Sequence, residues 1–177
     1  MLTKEFCNQL VRKVNPMKKT ARTAFMLICL SMVFVGTCKG ADVNVRNKDG
    51  NSPLMVAIQS AAKLDVVKLP VDKGADVNAK NKDGSTPLTE ALLFKANMEM
   101  VKLLVDNGAN MNVLDNEGET PLTWAAGKGN LELVKLLVGK GANVNAKNMN
   151  GYTPLMSAES KGKLDVVKFL KQHGVEE

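Results

Sequence analysis

A chain of 177 residues is long enough for one domain, and with only 4% aromatics it lacks the ring content of a deeply packed globule. Its formal charge of +6 is local: seven of the 24 basic residues but one of the 18 acidic residues fall in residues 1–40, so 41–177 is balanced. Nucleic-acid binding by counterion release needs uncompensated Lys and Arg, which the body lacks, and Cys7, Cys29 and Cys38 all precede residue 41, which removes thiol chemistry from it.

Residues 1–16 read as an N-terminal extension or a mis-assigned start, with Met17 as the alternative initiator. From Met17 onward, Lys18, Lys19 and Arg22 precede an uncharged, mostly apolar stretch over 24–35, followed by Gly36 and Thr37. That order predicts a secretory signal peptide over 17–40, of bacterial type. The apolar run is too short to span a bilayer, which takes about 20 residues. Two ends to the segment stay open. Val35-Gly36-Thr37-Cys38 resembles a lipobox, in which Cys38 would be lipidated, although Thr37 departs from the usual Gly, Ala or Ser. Cleavage after Gly40 is the other. The expected location is periplasmic or membrane-anchored, with secretion as the alternative, and membrane contact runs only through the signal peptide or a lipid anchor.

Gly-Ala pairs then begin at Gly40, Gly74, Gly108 and Gly141, and Pro53, Pro87, Pro121 and Pro154 keep the same spacing. Self-similarity at this period signals a repeat array, with units at 41–73, 74–107, 108–140 and 141–177, the last a C-terminal cap. Each unit opens on Asn47, Asn81, Asp115 or Asn148 with Gly three residues later, a type I turn pattern. Ser52, Thr86, Thr120 or Thr153 then precedes proline, so the hydroxyl caps a helix whose first φ is preset. A second helix follows, on which Leu131, Val134 and Val138, with Leu137 beside them, predict an apolar stripe. Gly74, Gly108, Gly141 and Gly174 sit where helices end in a left-handed residue. Helix pairs this small cannot bury their own apolar faces, so neighbours must stack.

Through its TPL, VKLL and GADVN segments the array resembles the ankyrin repeat over about three-quarters of the chain. The resemblance implies an all-α solenoid of about four helix-turn-helix repeats with β-turn or hairpin tips. It also implies a concave face, lined by first helices and tips, that holds a protein partner. Three departures stand out. The His of the family's TPLH is lost in every repeat, with Thr89 and Thr123 able to supply a substitute hydrogen bond and Met55 and Met156 not. Repeats one and two carry an extra inter-helix residue, and Pro70 fills the slot of Leu104, Leu137 and Leu170 inside a helix.

No catalytic constellation is present, since nucleophilic and acid–base sites need a base beside a nucleophile and the single histidine is His173. Asp49, Asp83, Glu117 and Asn150 recur on the turns, but calcium needs converging oxygens and these are spread along a stack. The reading is non-enzymatic, with no cofactor and no metal. The position four after the cap holds Val56, Glu90, Trp124 and Ser157. A slot that accepts Glu and Ser is not core, so Trp124 is expected to be partly exposed on the binding face. Leu114, Met149 and Tyr152 occupy tip positions held elsewhere by Lys80, Lys82 and Ser85, giving repeats three and four an apolar patch. The expected partner-binding set is Trp124, Tyr152, Met149, Leu114, Lys80 and Lys82, in a monomer that acts outside the cytoplasm. The alternative function is a spacer or shield for an envelope enzyme, with no defined hot spot.

Overall fold

The computed structural model describes residues 42–60, 63–94, 98–115 and 117–174. The signal peptide, Cys38 and most of the extra-residue loops (61–62 and 95–97) lie outside the described residues. Among those described, regular structure is entirely helical: α1 Pro53–Gln59, α2 Leu64–Asp72, α3 Pro87–Leu93, α4 Met98–Asp106, α5 Pro121–Lys128, α6 Leu131–Gly139, α7 Pro154–Ser160 and α8 Leu164–Lys171. The chain divides into two compact units, Met1–Gly108 and Ala109–Glu177. In the first, α1 packs on α2 and α3, and α4 packs on α2 and α3; in the second, α5 packs on α6 and α7, and α8 on α6 and α7.

The helix starts follow from four local hydroxyls. Ser52, Thr86, Thr120 and Thr153 accept the backbone N–H of Met55, Thr89, Thr123 and Met156, each with proline at the first helical turn. Thr89 returns the bond by accepting Thr86 N–H at 2.8 Å, and Thr120 and Thr123 share a hydroxyl contact of 2.8 Å. These two threonines thus fill part of the role left by the missing histidine.

The turns ahead of the first helices are also locally determined. The Asn81 side-chain oxygen accepts Asp83 and Ser85 N–H at 3.0 and 2.9 Å, and its carbonyl accepts Gly84 N–H at 3.1 Å. Asn47, Asp115 and Asn148 repeat the arrangement. The side-chain bonds mimic a backbone turn, which is why Asn and Asp are favoured there. Neighbouring tips join by single ladder-like bonds, Lys82 N–H to Asp49 O and Met149 N–H to Gly118 O, both 3.0 Å.

The core lies between the helix pairs. Leu54, Leu88, Leu104, Leu122, Leu137 and Leu170 are all essentially inaccessible. On α6 the buried stripe differs from expectation: Leu133, Val134 and Leu137 are buried, whereas Leu131 and Val138 are half-buried. The stripe is set by contact with both α5 and α8, which rotates its centre one residue off the simple i, i+3, i+7 reading. Pro70 does lie inside α2 and is buried. In α7 and α8 the slots of buried Ile58, Leu92 and Ala126, and of Val71 and Val105, hold Glu159 and Lys171. These form an exposed ion pair at 3.0 Å, a polar outer face of the kind that capping repeats carry.

Candidate protein-binding surface

In the second unit, a cleft of about 210 Å³ opens along α5 and α7, lined by Glu117, Glu119, Thr123, Trp124, Gly127, Lys128, Ser157 and Lys161. Capping by Thr120 fixes where α5 begins and therefore points Trp124, one turn later, along the cleft wall. Trp124 is half-buried, and Lys128 holds its ammonium 5.7 Å from the ring centroid, in cation–π range. A half-buried aromatic body beside a cleft offers a partner apolar contact area.

The expected binding residues fall into separate places. Leu114, Met149 and Tyr152 are 40%, 69% and 48% exposed and stand on the tips, outside the cleft lining. Met149 lies over Gly118: a Cβ on that glycine would sit 2.3 Å from Met149 Cγ. Lys80 and Lys82 are exposed on tips of the first unit, where the Lys80 carbonyl accepts from Arg46 Nη1. The surroundings of Trp124 are therefore charged rather than apolar. Glu117, Glu119, Lys128 and Lys161 were not foreseen as site residues, although comparison of copies marks three of them. The Glu119 slot holds Asn51, Ser85 and Tyr152 elsewhere, and Lys128 and Lys161 share a slot that holds Ser60 and Phe94 in the first unit. Phe94 and Leu93, 46% and 45% exposed at the end of α3, also went unforeseen.

The premise used to expose Trp124 fails at its own comparison point. Glu90, in the same slot, is only 5% exposed. Its carboxylate accepts Gln59 Nε2 at 3.0 Å and Asn81 Nδ2 at 3.3 Å, and Asn81 Nδ2 also donates to Asn51 Oδ1 at 2.9 Å. Burying a carboxylate is tolerable when hydrogen bonds are supplied to it. Polarity in this slot thus does not by itself mean exposure; Trp124 is half-buried because α5 and α7 leave the cleft beside it.

Tandem capped helix pairs with turn tips and a cleft between first helices define a class of helical repeat protein built to present a surface. Within that class, a family model described as Ankyrin repeats (3 copies) matches residues 3–115 and 91–177. The chain belongs to the ankyrin-repeat family, whose repeats generally serve as protein–protein interaction modules. No curated protein matches the chain.

Proposed function

We propose that this protein is a non-catalytic interaction module that holds a protein partner against the second unit, with Trp124 as anchor and Leu114, Met149 and Tyr152 as tip contacts. Half-burial of Trp124 in an open cleft carries the reading, since tryptophan is among the residues most enriched in interface hot spots. A half-buried ring already restricted by its neighbours also loses less side-chain entropy on binding than a free one. Lys80 and Lys82, on the tips of the first unit, add polar contacts. The order of charged, apolar and small residues over 17–40 supports export, with Cys38 or Ala41 as the mature N-terminus.

The partner is captured by cross-linking in intact cells and quantified against Trp124→Ala. The substitution should weaken binding by more than about 1 kcal/mol while leaving the circular dichroism spectrum unchanged. Equal recovery by the variant refutes the assignment. The mass of the mature N-terminus after cell fractionation tests export separately: an intact Met1 or Met17 in the cytosolic fraction refutes it.

A further inference from the structure

The cleft beside Trp124 is sorted by charge along its length. Glu117 and Glu119 stand in the turn ahead of α5, whereas Lys128 ends α5 and Lys161 follows α7. Eight helical residues span about 12 Å at 1.5 Å each, so the acids stand at one end and the two lysines spring from the other, the Lys128 ammonium reaching back over the Trp124 ring between them. Its volume of about 210 Å³ is below the roughly 300–1,000 Å³ of small-molecule sites. A side chain fits it better than a metabolite.

Glu119 distinguishes the acidic end. Its Oε1 accepts Asn148 Nδ2 at 2.8 Å, while Oε2 exposes less than 1 Å² and accepts no hydrogen bond among the described residues. Glu90, the buried carboxylate of the first unit, has both oxygens engaged. An unsatisfied buried acceptor is costly and asks for a donor; Glu119 lines the cleft, and a donor arriving there reaches the covered oxygen once the carboxylate turns toward it. The floor is also kept low. Gly127 lies within α5 at a slot filled by Gln59, Leu93 and Ser160 elsewhere, and a Cβ there would meet Ser157 Oγ at 2.7 Å. Glycine inside a helix is destabilising relative to alanine; here its lack of a side chain leaves room for Ser157 in the cleft lining.

We propose that the acidic end of this cleft receives a single Lys or Arg side chain from an extended segment of the partner. Its methylenes lie along Trp124, and its cation donates to Glu119 and pairs with Glu117. The inference rests on the interaction-module reading and names the chemistry that the module selects. Charge complementarity of this kind fixes register and rejects wrong partners. Lys128 and Lys161 at the far end repel a continuous basic run, so one cation is admitted rather than a polybasic stretch.

The test pans the full chain against a random dodecapeptide library and measures the enriched peptides by titration, following emission from Trp124, the chain's single tryptophan. Enriched peptides should share one Lys or Arg. Glu119→Gln, which keeps an acceptor for Asn148, should weaken them roughly thirtyfold or more, as loss of one partner of a buried charge pair does. Glu117→Gln, at an exposed position, should weaken them by a smaller factor, and decides the matter if the Glu119 variant does not fold. Enrichment of acidic, purely apolar or polybasic peptides overturns the proposal, as does no enrichment, or equal affinity for the Glu→Gln variants. If cellular capture still depends on Trp124 while peptides show no basic preference, only this proposal fails; if capture is indifferent to Trp124, the module reading fails.

Discussion

Replacing Pro70 by leucine should stabilise the first unit. Proline inside a helix lacks the N–H that would bond to the carbonyl of Val66, and its ring crowds that carbonyl, at a cost of about 3 kcal/mol. The damage is confined to that point: the Pro70 carbonyl still accepts Lys73 and Ala75 N–H at 3.1 and 2.9 Å, so the helix ends normally. The equivalent Leu104, Leu137 and Leu170 are each 0% exposed, which shows that a leucine fits this slot in the other helix pairs. Against the gain stands the stiffness that proline gives the unfolded chain, worth about 1 kcal/mol at most. The net effect is about 2 kcal/mol, and at roughly 2–4 °C per kcal/mol the melting temperature should rise by roughly 4–8 °C. Differential scanning calorimetry reads the shift, and Pro70→Ala separates the restored N–H from added packing. An unchanged or lower melting temperature for both variants would refute the alignment of Pro70 with the three leucines.

Two further substitutions probe the polar framework. Glu90→Ala removes the acceptor for Gln59 and one of two acceptors for Asn81, and should destabilise the first unit by about 1–3 kcal/mol, the cost of leaving buried donors unsatisfied; urea denaturation with a loss under about 0.5 kcal/mol would contradict the buried ring of bonds. Gly118→Ala should cost more than Gly151→Ala. Both glycines have positive φ, +73° and +80°, but only at Gly118 would the new Cβ strike Met149. The left-handed penalty of about 1–2 kcal/mol is common to both, so the difference in denaturation midpoint isolates the clash. It should shrink when Met149→Ala removes Cγ and Cε and disappear only with Met149→Gly, because the Met149 Cβ would itself lie 2.6 Å from the new Cβ.

The features legible in the sequence are those built from contacts within four residues. A hydroxyl before proline, an Asn or Asp four ahead of its second acceptor bond, and a glycine where φ turns positive each act within one turn of chain. They locate the caps, the tips and the first residue of every first helix. The polar network at Glu90 was not legible because its donors come from Asn81, nine residues away, and from Gln59, 31 residues away on a different helix. Reading Glu90 alone, a carboxylate in a helix looks like surface. Only when α1 is stacked on α3 does the acid find two amides and become buried.

The two units solve the same problem with the acid in different slots. In the first, the turn amide of Asn81 donates to Asn51 from the preceding turn and to Glu90 on its own helix. In the second, the equivalent Asn148 donates to Glu119, which occupies the turn slot of Asn51. With the carboxylate standing in the turn, the helix slot of Glu90 no longer has to satisfy the amide, and in the repeat of Asn148 it holds Ser157, which lines the cleft together with Trp124. The same placement leaves one oxygen of Glu119 without a donor beside the ring. The small Ser157 slot and the half-satisfied acid are therefore two consequences of one arrangement, both beside Trp124 in one cleft, and a partner that covers the ring is the partner placed to reach the acid.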